Sequence, residues 1–161
     1  MAANLRAEKV GFAKQAAERM AAKFDGEEAA KTLRWIHQFP IPTGIPSQFL
    51  SAVDKIPKDI KSVDMNQYAD YLYNGLVLGY LMACIKPDQL AQLKTANTWK
   101  VSPAAPFETT RQRERIGLFL KFLSEVGVPT TSQFQTDQLY EKTGLAQVVI
   151  ALNHLAMATK K

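Results

Sequence analysis

An all-α fold is predicted by three features of the sequence. Leu145, Val149, Leu152 and Ala156 recur at i, i+4, i+7 and i+11, one stripe of a 3.6-residue helix, and Val148 with Leu155 widens it until most of the circumference is apolar. Shorter stripes of the same period run through Ala29, Leu33 and Ile36, and through Ile116, Phe119, Leu120 and Leu123. Between such stripes the chain is punctuated by proline, glycine and asparagine, and it contains no internal repeat. A helix as apolar as the last one is normally buried in the middle of a helical domain, so residues 134–157 are expected to organise the fold.

The chain of 161 residues has the size of one ordinary domain, with 47% hydrophobic and 22% charged residues, the balance of a globular protein. Twenty Lys+Arg against fifteen Asp+Glu give a net charge of +5, which favours acidic partners in general: filaments, anionic lipid or nucleic acid. The charge is spread along the chain rather than gathered in a basic tail. Cys84 is the only cysteine and falls within an apolar helix, where a buried, inert thiol is expected. There is no signal-peptide core and no apolar run long enough to span a bilayer, so a cytoplasmic protein without membrane insertion is expected.

In chain order, residues 4–24 read as a helix with Val10, Ala13, Ala17, Met20 and Phe24 on one face and Lys9, Lys14, Arg19 and Lys23 mostly elsewhere. Its alanine-rich face is too small for strong lipid binding, and Glu8 and Glu18 argue against a transit peptide, so a helix docked on the domain is expected. Asp25-Gly26 breaks it, and Glu27 and Glu28 open the next helix with carboxylates in its first turn. Ala29, Leu33 and Ile36, with Trp35 alongside, form that helix's core face; Lys31, Arg34 and Gln38 point away, and Pro40 and Pro42 end it. Residues 40–64 carry four prolines and read as a surface excursion holding one short helix at 47–55.

Asp64 is placed to cap a short helix through Tyr68, Tyr71 and Leu72, and Asn74 to cap an apolar helix at 76–86 that Pro87 stops. Residues 88–107 read as a second loop-rich region; Pro103-x-x-Pro106 within it matches a minimal proline-rich ligand spacing but reads as an approach to a helix. That helix is expected to start at Thr109 or Thr110 and to be capped by Gly127. Arg111, Arg113 and Arg115 lie in its first turns; each two-residue step turns about 200° around a helix, so they cannot share one phosphate groove. They read as a solvated helix end, and no nucleic-acid partner is expected. Asp137 and Glu141 lie upstream of the last helix, which Gly144 begins, where negative charge suits its positive end.

Three stretches carry a family resemblance: Lys31-Thr-Leu-Arg-Trp-Ile36; Tyr71-Leu-Tyr-Asn-Gly-Leu-Val-Leu-Gly-Tyr-Leu81; and Phe119-Leu-Lys-Phe-Leu123 followed by Gly127-Val128 and Phe134-Gln-Thr-Asp-Gln-Leu-Tyr-Glu141. In this order they resemble the calponin homology domain, specifically the single-domain calponin and transgelin group, over nearly the whole chain. The resemblance implies a compact bundle of about four main helices plus short connecting ones, with residues 1–24 an amino-terminal helix docked on the domain and residues 25–161 the domain proper. The 40–64 loop is longer than the group's pattern. Thr110 and Arg113 stand where apolar residues are usual, so Phe107 is expected to supply packing from a shifted position. Members of the group also carry carboxy-terminal actin-binding repeats, which residues 1–161 do not contain, and that absence counts against actin binding by these residues alone.

No converging set of catalytic groups can be assembled. His37, Cys84 and His154 lack metal-ligand spacing, and no zincin, nucleophile-elbow, P-loop or dinucleotide motif occurs. Asp64-x-Asn66 begins like a calcium loop and then lacks its glycine and final glutamate. A non-enzymatic protein with no cofactor and no metal is expected. By resemblance the contact with actin filaments falls on Lys31, Arg34 and Gln38 of the first core helix and on Lys142, Thr143, Gln147 and His154 of the last segment. Two alternatives stand beside it: an adaptor for other cytoskeletal or signalling proteins without filament binding of its own, and a microtubule-binding domain.

Overall fold

Residues 24–159 are described by a computed structural model, and among them every regular element is helical. Eight α-helices follow in order: α1 Gly26–Ile36, α2 Ser47–Asp54, α3 Met65–Leu72, α4 Leu76–Ile85, α5 Leu90–Thr95, α6 Ala105–Glu125, α7 Thr136–Tyr140 and α8 Leu145–Thr159. Single 3-10 turns at Pro87–Gln89, Asn97–Trp99 and Thr130–Ser132 link some of them. The four longest, α1, α4, α6 and α8, form the bundle expected from the sequence. The helix expected over residues 4–24 lies outside the described residues but for Phe24.

Several starts and stops follow the local chemistry read from the sequence. The Asp25 carboxylate accepts from the Glu27 and Glu28 N–H groups and opens α1. Asp64 and Gln67 form a reciprocal capping box at α3, satisfying two backbone donors that a helix start leaves bare. Gly127, at φ 94°, ends α6 while the Val128 N–H returns to the Leu123 carbonyl at 2.9 Å, a Schellman closure. At α4 the cap is shared. Gly75 takes the left-handed capping conformation at φ 79°, and the Asn74 side chain accepts from the Leu76 N–H at 3.0 Å.

The centre of the molecule is α4 rather than α8. Eight of the ten residues of α4 are buried, against six of fifteen in α8. Helix α4 packs between α2 and α6, while α8 packs on α1 and leaves one side outward. Apolar content overstates how central α8 is, because Ile150 and Met157 are 49% and 67% exposed.

Three other expectations are corrected. Helix α6 starts at Ala105, a turn before Thr109, because Pro106 in its first turn needs no hydrogen-bond partner for the donor it lacks. Phe107 supplies no packing: it is 67% exposed. Helix α5 and two 3-10 turns occupy the region read as loop; α5 buries only Leu93, too little to leave a stripe in the sequence.

Arg115 is the largest departure, for it is wholly buried rather than solvated. Its five N–H donors are all used. Nε donates to the Thr98 carbonyl, Nη1 to the Asn74 carbonyl and Glu108 Oε2, and Nη2 to the Lys100 carbonyl and Glu108 Oε1, at 2.7–3.1 Å. The guanidinium thus pins the α3–α4 turn and the 98–100 segment to α6. Gly75 makes room for it, since a Cβ there would collide with the Cβ of Arg115.

Candidate functional site

A broad concave surface runs along the outward side of the α1–α8 pair. Leu33 and Ile36 turn α1 inward, which leaves Glu28, Lys31 and Trp35 along its other side at helical spacing, with Phe39 in the turn that follows. Asn153, Ala156 and Met157 of α8 face them across a groove of about 770 Å³. Trp35 and Phe39 meet edge to face, with ring centroids 5.2 Å apart. Trp35 is half-buried: it packs against the core alongside Leu33 and Ile36, as expected, and its outer part walls the groove. A shallower depression continues past Glu28 to Asp25, Gln147 and Ile150.

The residues assigned to a filament contact divide by location. Lys31 on α1 and Gln38 in the turn after it are exposed at the groove. Arg34 lines it too, but its Nη1 donates to the Ile60 carbonyl at 2.6 Å, which ties α1 to the long 37–64 connection. Instead of pointing away from the fold, Arg34 is half-buried. Gln147 is likewise half-buried and donates to the Gln133 carbonyl at 3.1 Å, so it braces α8 against the preceding loop. His154 is half-buried and is not a groove residue.

Lys142 and Thr143 lie apart from the groove, in the turn before α8. Lys142 has φ 60°, and its Nζ reaches Asn66 Oδ1 at 3.5 Å and Asp70 Oδ1 at 3.9 Å on α3. The Thr143 hydroxyl donates to the Asp137 carbonyl at 3.2 Å. The fold therefore brings Lys31, Arg34 and Gln38 together and sets Lys142 and Thr143 on a separate corner. The two carboxylates placed by charge logic at the start of α8 do something else: Asp137 and Glu141 both bind Arg113 of α6, at 2.8 and 2.6 Å. Asp137 holds the Arg113 guanidinium above its usual range, and Glu141 reinforces it.

Among the described residues no group of three or more His, Cys, Asp or Glu side chains is placed to hold a metal ion. His37 Nε2 lies 2.7 Å from the Ile56 carbonyl, a structural contact. Burial pushes the Cys84 thiol up to about 11, against a smaller opposing effect of its hydrogen bond to Tyr80, so at neutral pH it is almost wholly protonated. Burial likewise raises Tyr68, whose hydroxyl lies 2.9 Å from Thr32 Oγ1. No described helix is long and apolar enough to cross a membrane.

With this geometry in hand, the chain can be set beside known proteins. It is 29% identical over 143 residues to Myophilin of Echinococcus granulosus, an alignment covering 88% of this chain. The chain spans 60% of that relative's length. No family model matches the chain, and no solved structure matches it. An alignment of 143 of the 161 residues necessarily includes all three stretches that resemble the calponin homology domain.

Proposed function

We propose that this chain is a non-enzymatic, cytoskeleton-associated binding protein of the calponin and transgelin kind, acting in the cytoplasm, with actin filaments as its partner. The observation that carries the reading is the similarity to Myophilin along 88% of the chain, which includes the helices bearing the motifs. The basic balance of the chain suits an acidic filament, and exposed Lys31, Gln38, Lys142 and Thr143 supply the contact. Arg34 and Gln147 act through positioning, because their polar ends are already engaged within the fold. A contact resting on exposed lysines is steered by charge and weakens as salt rises.

Co-sedimentation with actin filaments and, in parallel, with microtubules across a salt series tests the reading. The expected result is pelleting with actin that fades with salt. Joint replacement Lys31→Glu and Lys142→Glu is expected to weaken pelleting with an unchanged melting temperature, since both side chains are exposed. Unchanged binding in that variant would move the contact elsewhere. Pelleting with microtubules alone would assign the chain to tubulin instead, and pelleting with neither at low salt would leave the adaptor reading.

A further inference from the structure

The segment between the Asn97–Trp99 turn and α6 holds a motif that the proposed function leaves unused. Of the eight prolines, only Pro103 follows a hydroxyl residue, so Ser102-Pro103 is the one Ser/Thr-Pro pair in the chain. Pro106 lies inside α6, so residues 103–106 cannot form the extended proline helix of a proline-rich ligand. What remains is the dipeptide. A serine before proline is held to extended backbone and the proline has no N–H, the two features by which proline-directed protein kinases choose their acceptor. Lys100 and Ala104 on either side are extended too, at ψ 135° and 115°.

The neighbours leave the dipeptide within reach. Lys100, Val101 and Pro103 are exposed and Ser102 is half-buried. Ala104, the N-cap of α6, has no side-chain acceptor, and Ala105, Pro106 and Phe107 of the first turn are exposed. That turn frays at little cost, which lengthens the extended stretch that a kinase cleft needs. Ser102 is also joined to the buried anchor of the fold. Its N–H donates to Glu108 Oε1 at 2.9 Å, its Oγ accepts from the Ala104 N–H at 3.2 Å, and Glu108 holds Arg115 at two points.

We propose that Ser102 is a phosphorylation site for a proline-directed kinase, and that its phosphate releases the hold of Glu108 on Arg115. The kinase's nucleoside triphosphate supplies the group. The Ser102 Oγ–P bond forms as the bond to the diphosphate breaks, and the hydroxyl proton passes to a base of the kinase. The product carries about −1.5 to −2 charge on the residue whose N–H Glu108 now holds. Two anions then compete for the start of α6. The phosphate is fixed there covalently, and Arg111, whose Nη1 lies on the Lys100 carbonyl at 2.8 Å, is at hand to pair with it. Glu108 is already 15% exposed and swings outward, which leaves Arg115 without its ion partner.

Incubating the purified chain with magnesium ATP and, separately, a mitogen-activated and a cyclin-dependent kinase tests this. Intact mass and peptide mapping should find one phosphate, on Ser102. Pro103→Ala should slow its incorporation at least about ten-fold. Ser102→Ala should abolish it while melting close to the parent. The phosphorylated chain should melt about 3–8 °C below the parent. That fall should be largely gone in Glu108→Gln, where no carboxylate is left to displace. No incorporation on the folded chain, or incorporation on other residues alone, would overturn the assignment. An unchanged melt, or an equal fall in phosphorylated Glu108→Gln, would overturn the link to Arg115. No filament enters the assay, so its outcome is independent of the proposed function.

Discussion

Arg113 and Arg115 stand two residues apart on α6 and do opposite work. Arg113 lies on the outer side, its side chain 41% exposed, stacked over the Tyr140 ring at 4.4 Å and paired with Asp137 and Glu141, which are themselves 68% and 53% exposed. Arg115 is at 0% exposure, with every donor bonded and Glu108 gripping it at two points. The side chains are the same and the turn of about 200° between them decides the rest. An exposed pair gains little, because water already solvates both charges. A buried guanidinium is different: its removal leaves Glu108 without its ion partner and strands the Thr98 and Asn74 carbonyls, while the Lys100 carbonyl keeps only Arg111.

The largest expected effect is therefore Arg115→Ala, which should lower stability by about 3–5 kcal/mol, read from denaturant unfolding. A loss no larger than that of an exposed arginine would erase the contrast. Gly75→Ala should come next. It forces a left-handed conformation on a residue with a Cβ and drives that Cβ into Arg115, at a cost of about 2–4 kcal/mol. Combining the two substitutions should cost nearly their sum, since Arg115→Ala keeps the Cβ that a side chain at position 75 would meet and removes only the outer atoms beside it.

Glu108→Gln should cost about 1–3 kcal/mol and change how stability depends on pH. Burial works against the charge of Glu108, but Arg115, the Ser102 N–H and Gln112 outweigh it and hold the carboxyl below its usual range. A folded value below the unfolded one means the contribution is complete above the ordinary glutamate pKa of about 4.3 and is lost as pH falls through the folded value. Acid melts of the parent should show that loss, and melts of Glu108→Gln should lack this part of it. The smallest effect belongs to Arg113→Ala, a loss close to that of any exposed surface residue and shrinking further in salt. A double-mutant cycle with Asp137→Ala that returned a coupling as large as the loss in Arg115→Ala would show that the outer pair is also structural.

The candidate surface was partly legible in the sequence. The outward spacing of Lys31 and Gln38 follows from the stripe formed by Ala29, Leu33 and Ile36, because a helix that buries one side must expose the other. What escaped the sequence was the outer part of Trp35. An aromatic residue next to a core stripe reads as core, and whether all of it is covered depends on how closely α8 approaches α1. The engagement of Arg34 with the Ile60 carbonyl and of Gln147 with the Gln133 carbonyl was equally invisible, since both partners are backbone atoms on distant loops.

The sequence by itself determined the helical class, most of the helices and several of their ends, because periodicity and capping act over a turn or two. It also singled out Asn74-Gly75 as a break before the apolar α4. Only the tertiary structure decided what that break is for. The Asn74 carbonyl receives Arg115 and Gly75 leaves space for its stem, across forty residues of chain. The same holds for the centre of the fold, which passed from α8 to α4: apolar content is local, but burial depends on how many sides a helix has covered, and α4 is covered by α2 and α6 while one side of α8 still faces outward.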